Sequence, residues 1–327
     1  MSRPRTRALT VESAGVAPRT IERELRSPAT GEVVVEVLAC ALDALDARIA
    51  AGRVPTAAPL FPLVPGRHAS GVVVEVGIGA EHLRNAKVVV PSLLPCDECE
   101  ACRRARATLC RRRIALGAGP IGGLQTHMTV PARHLLALAG DLAAGAPRLM
   151  EMASLGHLVE LYQATAYAGL AAGDVAFVLG AGERARLLRE LAAAKGATVL
   201  DASDSAQADA AAGARELPRV GWKIFALHGA AEATWADAMR LCGPAATVVL
   251  VGPEAEGALD AAPLVMAEAQ LRVSLGAHPD LYAEVAALVL RGDVRLPTPE
   301  PVPLAQAAAA LEWAASTSRV AIVAVRS

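Results

Sequence analysis

Asp174-Val-Ala-Phe-Val-Leu-Gly180-Ala-Gly182-Glu-Arg-Ala185 is a short apolar run that breaks on two closely spaced glycines and then continues as Arg-Leu-Leu-Arg-Glu-Leu-Ala-Ala-Ala194. A buried strand, a tight turn and a helix follow in that order, which is the arrangement that places helix amides around a pyrophosphate. The second strand of such a unit is expected over Ala197–Ala202. On these residues a dinucleotide site is expected at Gly180, Gly182 and Ala185, the alanine standing where a third glycine is usual. Glu183 and Arg184 hold positions usually given to small or apolar residues. A carboxylate in a first helical turn suits the helix dipole but repels a diphosphate bound there.

Outward from this turn, apolar runs alternate with Ala-rich helical stretches after about residue 148, the texture of a parallel sheet covered on both faces. Further strands are expected at Lys223–Leu227, Thr247–Gly252 and Leu271–Leu275. The residue expected to meet an adenosine ribose is Ser203, flanked by Asp201 and Asp204. Serine permits a 2′-phosphate and the carboxylates disfavour one, so NADH and NADPH both stay open. Before this region, β-branched runs at Gly31–Ala39, Gly71–Gly77 and Lys87–Leu93 are punctuated by Gly and Pro, which reads as an irregular, mostly β domain. A last strand is expected at Val320–Val325. The expected division is 1–147, 148–290 and 291–327, with the final segment returning to the first domain.

The 327 residues exceed what one core usually organises. Apolar residues make up 54% and aromatic residues 3% of the chain, so the core is built from Ala, Val and Leu. Thirty-two basic residues against 33 acidic ones leave a charge of −1, which offers no field for nucleic acid or an anionic membrane. No apolar stretch is long enough to span a bilayer, and the basic N-terminus is not followed by the apolar run of a signal peptide. A cytoplasmic protein with reduced thiols is expected.

Four of the six cysteines stand in Cys96-Asp-Glu-Cys99-Glu-Ala-Cys102 and Cys110. Four thiolates complete a tetrahedral zinc and leave no open position, so a structural zinc lobe is expected over 94–112. Arg103, Arg104, Arg106, Arg111, Arg112 and Arg113 surround it. They either answer the negative charge of a four-thiolate zinc or bind phosphates of a coenzyme A thioester. Cys40 and Cys242 are isolated and read as buried apolar thiols.

These cysteines, together with Pro62-Leu-Val-Pro-Gly66, Gly71-Val-Val-Val-Glu-Val-Gly77 and Gly169-Leu-Ala-Ala-Gly-Asp174, resemble the zinc-containing alcohol dehydrogenase branch of the medium-chain dehydrogenase/reductase superfamily. More narrowly, Val88-Val-Val-Pro-Ser-Leu-Leu-Pro-Cys-Asp-Glu-Cys-Glu-Ala-Cys102, Gly122-Gly123, Val130-Pro-Ala-Arg133 and Gly276-Ala-His-Pro-Asp-Leu-Tyr282 are similar to 6-hydroxycyclohex-1-ene-1-carbonyl-CoA dehydrogenases. The resemblance implies an α/β fold: a Rossmann-type doubly wound parallel sheet domain beside a mostly β GroES-like domain. It further implies an acyl-CoA substrate, and a homodimer formed near Leu271–Leu275.

It also implies where a catalytic zinc would be held, and those positions fall on Asp43, Arg67 and Gly156. The family's proton-relaying Ser or Thr falls on Leu45. An arginine does not ligate zinc, so alcohol oxidation lacks the Lewis acid that stabilises an alkoxide. Reduction of a double bond conjugated to a thioester needs only hydrogen-bond donors at the developing enolate. An NAD(P)H-dependent enoyl-CoA reductase is therefore expected, similar in kind to a myxobacterial reductase that forms isovaleryl-CoA. Arg67 and His68 are expected at the thioester oxygen, and Tyr162 as proton donor. Two alternatives stay open: a rewired metal site on Asp43, His68 and His157, and a non-catalytic binding protein. Asp43 and Asp46 also read as helix caps, His157 and Glu160 as helix residues making local polar contacts, and His228 as either a cofactor neighbour or a loop residue.

Overall fold

The computed structural model describes residues 5–54, 60–143, 145–201, 220–227, 235–252, 260–298, 300–317 and 319–326. The chain forms two compact units: Met1–His157 with Ala277–Leu290 and Leu296–Ser327, and Leu158–Gly276 with Arg291–Arg295.

The first unit opens with the hairpin β1 (Arg5–Thr10) and β2 (Arg19–Glu24), then the long strand β3 (Glu32–Leu42). Asp43 ends β3 and caps helix α1 (Ala44–Ala50). β4 (His68–Val76) and β5 (Lys87–Val90) follow, then β6 (Leu93–Leu94), helix α2 (Glu100–Arg103), β7 (Ile114–Ala115), β8 (His127–Pro131), β9 (Leu136–Ala137) and helix α3 (Gly145–Met152). β3 is the centre of the main sheet, antiparallel to both β4 and β8. Its Val33, Val35 and Val37 project into one core with Val73, Val88 and Val130. The pairing of Ala41 with His68 sets the end of β3 beside the start of β4. Asp43 and Arg67 thereby become neighbours although 24 residues separate them.

Helix α4 (Leu155–Tyr167) leads into the second unit, where β10 (Val175–Leu179), helix α5 (Gly182–Ala194), β11 (Thr198–Asp201), β12 (Lys223–Leu227), helix α6 (Trp235–Arg240), β13 (Thr247–Val251), helix α7 (Ala262–Met266) and β14 (Gln270–Ser274) follow. Among the described residues these five strands are parallel, in the order β11-β10-β12-β13-β14. β10, β12 and β13 are apolar almost throughout because both faces are covered, with Phe177, Trp222, Ile224 and Val248 in one core. The order reverses direction at β10, from which β11 lies to one side and β12 to the other.

Helix α8 (Tyr282–Arg291), β15 (Val302–Pro303), helix α9 (Ala307–Ser316) and β16 (Ala321–Ala324) complete the chain. β16 pairs with β3, so the terminal strand joins the main sheet of the first unit. Two long-range contacts lie within the first unit. Ser70 Oγ donates to the Leu149 carbonyl at 2.6 Å, tying α3 to β4. The buried Tyr282 hydroxyl accepts the Ser92 N–H at 3.2 Å, tying 277–290 to the first unit.

Candidate functional site

Asp43 is a helix cap, as its place after β3 suggests, but it is more than that. Its Oδ1 accepts the amides of Leu45 (2.9 Å) and Asp46 (3.3 Å), and Asp46 Oδ2 accepts the Asp43 amide at 3.0 Å. This reciprocal cap fixes both carboxylates. Arg67 then reaches in from the start of β4. Its Nη2 donates to both oxygens of Asp43 at 3.0 Å, its backbone amide donates to Asp46 Oδ1 at 2.9 Å, and its Nε lies 3.5 Å from that oxygen. Arg67 is 6% exposed and Asp46 1%, so the ion cluster is out of water. Burial pushes the Asp46 carboxyl up to about 7, against the opposing pull of Arg67.

His157, at the start of α4, places Nε2 3.3 Å from Asp43 Oδ2. His68 does not point at the carboxylates as a fellow ligand. Its ring meets that of His157 edge on, with centroids 4.1 Å apart, and lies over Gly156. A Cβ at Gly156 would stand 2.1 Å from His68 Nδ1, so only glycine leaves room for the imidazole. His68 is 1% exposed. Among the described residues the convergent acid and imidazole set is therefore Asp43, Asp46 and His157, rather than Asp43, His68 and His157.

The four cysteines gather around α2, in a loop closed by the β6–β7 pair. Cys99 Sγ lies 3.5 Å from Cys102 Sγ and 3.8 Å from Cys110 Sγ, and Cys96 and Cys110 are 3.5 Å apart. Thiolates about 2.3 Å from one tetrahedral zinc stand roughly 3.8 Å from each other. The donor set thus fits a structural zinc with all four positions filled. Most of the surrounding arginines are engaged locally: Arg104 with Glu100, Arg112 with Glu98, Arg113 with the Cys110 carbonyl and Arg103 with the Glu98 carbonyl. Arg106 and Arg111 are exposed and have no ion pair among the described residues.

In the second unit Gly180 has φ +125°, and a Cβ there would press on Leu227 at 3.1 Å. Ala181 caps α5 without a side-chain hydrogen bond, so the first amides of a 13-residue helix are left for an outside acceptor. Ala185 is fully buried against the sheet, as the third position of the turn requires. The repulsion expected of Glu183 is answered by Arg186, whose Nη2 donates to Glu183 Oε1 at 2.5 Å. Ser203, Asp204 and His228 lie outside the described residues.

Residues 29–140 match the alcohol dehydrogenase GroES-like domain. The first unit therefore carries an alcohol dehydrogenase GroES-like domain. An alcohol dehydrogenase of Geobacillus stearothermophilus is 31% identical over 53% of this chain and 51% of its own length. The chain spans about half the length, or less, of several curated relatives it matches. Over 98% of its length it superposes on a zinc-binding dehydrogenase of Sinorhizobium meliloti bound to NADP, with TM-score 0.82, 21% identity and all of that chain covered. It superposes equally broadly on a cobalt- and zinc-bound alcohol dehydrogenase of Pyrobaculum aerophilum, with TM-score 0.80, 25% identity and all of that chain covered.

At Asp43, Arg67 and Gly156, the positions where the resemblance implies a catalytic zinc, the residues present do not fit that ion. A guanidinium fills both oxygens of the one carboxylate there, and an imidazole fills the space where the third ligand's side chain would begin. Tyr162, the expected proton donor, packs at the far end of α5. Lys195 Nζ stands 4.3 Å over its ring, and Lys195 is the C-cap of α5. The dinucleotide turn is at the other end of that helix, roughly 18 Å away at 1.5 Å per residue. Sequence spacing gave no sign of this, because i, i+4 periodicity does not say which end of a neighbouring helix a residue meets. Asp46 was legible only as a cap, since nothing local marks it as the partner of an arginine 21 residues later.

Proposed function

We propose that the chain is an NAD(P)H-dependent reductase acting on the conjugated double bond of an enoyl-CoA, without a catalytic metal. The observation that carries this is the Arg67 guanidinium, fixed between Asp43 and Asp46 where relatives of this fold hold an ion. The amides that follow Gly180 and Gly182 would hold the diphosphate of a nicotinamide nucleotide, which would supply hydride when bound. Hydride transferred to the β-carbon would push an electron pair onto the thioester oxygen, and a proton from water would then join the α-carbon. Arg67 is too enclosed for direct contact and its charge is answered by Asp43, so it acts as a positioning residue that fixes the carboxylate pair, and His68 is enclosed likewise. Exposed Arg106 and Arg111 offer guanidinium groups to the phosphates of coenzyme A.

The test is consumption of NADH or NADPH with branched and cyclic enoyl-CoA thioesters, read beside alcohol oxidation with NAD or NADP. Reduction of an enoyl-CoA with no alcohol turnover supports the proposal; alcohol turnover without enoyl-CoA reduction defeats it. A second reading, a rewired metal site in an alcohol or hydroxyacyl-CoA dehydrogenase, is favoured by the convergence of Asp43, Asp46 and His157. Two zincs per chain by metal analysis would favour it, and one would oppose it.

Homodimerisation is part of the same proposal. β14 presents Leu271 and Val273 to solvent, with Val273 66% exposed, at the open edge of the parallel sheet, and Leu275 just after it is exposed too. An apolar unpaired edge is a template for a second copy. Sedimentation of Val273→Lys should show a monomer where the parent is a dimer; a monomeric parent would refute this part.

A further inference from the structure

Arg184 is the one charged residue of the glycine-rich turn whose partner is not explained by its own helix. Its neighbours are engaged: Glu183 with Arg186, and Arg186 in turn with Glu190 and with the Arg295 carbonyl at 2.8 Å. Arg189 Nη2 donates to the Gly180 carbonyl at 3.3 Å. Arg184 instead extends away from α5. A Cβ on Gly252 would lie 3.9 Å from both its Nη1 and Nη2. Gly252 directly follows β13, and β13 is two strands from β10, about 10 Å at ordinary strand spacing. The guanidinium therefore lies across the carboxyl ends of β12 and β13. Its Nε is buried and has no hydrogen-bond partner among the described residues.

That ledge is half of a nucleotide crevice. In a doubly wound sheet a dinucleotide straddles the point where strand order reverses, one nucleotide over each half, with its diphosphate at the helix N-terminus between them. β11 lies on one side of β10, and β12, β13 and β14 on the other. In the sequence the acid-flanked Ser203 comes directly after β11, so the adenosine is assigned to that side. The nicotinamide then belongs over β12 and β13, where Arg184 has placed a cation. The oxidised ring carries a positive charge and the reduced ring none. A guanidinium beside it repels one redox form and tolerates the other.

We infer that Arg184 makes this crevice discriminate by charge between the two redox states of a nicotinamide nucleotide, binding the reduced form in preference. The inference rests on the nicotinamide reading proposed above and deepens it, because preference for the reduced form fills the site with the hydride donor when both forms are present.

The experiment is equilibrium binding of NADH, NAD, NADPH and NADP to the full chain and to its Arg184→Gln and Arg184→Lys variants, followed by calorimetry. The parent is expected to bind the reduced form at least tenfold more tightly than the oxidised form of the same nucleotide. Arg184→Gln should bring the ratio close to one, chiefly by tightening the oxidised form. Arg184→Lys, which keeps the charge, should retain most of the ratio and shows that the loss is not a general defect of the helix. If the parent binds both forms equally, or the ratio survives Arg184→Gln, the inference is overturned while the nicotinamide reading stands. If the parent binds neither form of either nucleotide, both fall together.

Discussion

Arg67 Nη2 stands 3.0 Å from each oxygen of Asp43, so one guanidinium nitrogen satisfies a whole buried carboxylate. The pair is shielded from water, and its strength is best seen by removing one member. Arg67→Met would leave Asp43 and Asp46 facing each other without a cation. Breaking a buried pair from one side costs about 3–5 kcal/mol, so this variant should lose that much stability in urea denaturation. Adding Asp43→Asn to Arg67→Met should return part of the loss, because the stranded charge is then gone. Equal losses in the single and double variants would mean that the pair is not coupled.

The cysteine lobe makes a second, independent prediction. With its four sulfurs 3.5–3.8 Å apart where they are nearest, the lobe should hold one zinc per chain. Cys110→Ser should abolish that zinc in metal analysis and lower the melting temperature, since metal binding at such sites is folding free energy. Chelation of the parent should have the same effect. Full zinc content in Cys110→Ser would show that the metal sits elsewhere.

Much of this architecture is legible in the sequence, for reasons that differ by element. β10 and its turn stand out because a strand buried on both faces must be apolar throughout and the turn must be glycine. The zinc lobe stands out because thiols have no packing reason to crowd together in a polar loop. The loss of the usual catalytic ligands is visible at Asp43, Arg67 and Gly156 only once the resemblance has aligned them. What replaces them is not visible. The union of Arg67 with Asp43 depends on the register of β3 against β4, which puts Ala41 opposite His68. The fit of His68 over Gly156 depends on where α4 begins. Register and helix placement are tertiary results, and a side chain's chemistry does not encode them. Single long-range bonds such as Tyr282 to Ser92 are of the same kind.

The Asp46 carboxyl predicts a pH dependence whose direction is the reverse of an ordinary salt-bridged acid. Burial raises its pKa from 3.8 to about 7 in the folded chain. Between those values the folded chain keeps a proton that the unfolded chain has released, so the unfolded state binds fewer protons and stability falls as pH rises. The slope for one such group is roughly 1.4 kcal/mol per pH unit, and it vanishes above the folded pKa. Urea midpoints taken from pH 5 to 8 should decline and then level off. Asp46→Asn removes the titrating group while keeping an acceptor for the Arg67 amide, so its profile should be flatter across the same window. A parent whose stability rises through this range would contradict the assignment.

Gly156 offers a test of whether His68 has taken over the space of a former ligand. Alanine is ordinarily the better helix residue than glycine, by about 1 kcal/mol. At this position its Cβ would lie 2.1 Å from His68 Nδ1, far inside contact distance, and the ring is enclosed by His157 on one side. Overpacking of this kind costs about 1–3 kcal/mol, so the collision should outweigh the helical gain and Gly156→Ala should be destabilising. In the background of His68→Ala the same substitution has no ring to strike, and the helix preference alone should make it neutral or stabilising. The sign of the effect thus reports directly on the imidazole. If Gly156→Ala destabilises both backgrounds equally, the glycine is needed for the backbone of α4 and not for His68, and the picture of an imidazole filling the ligand's place fails.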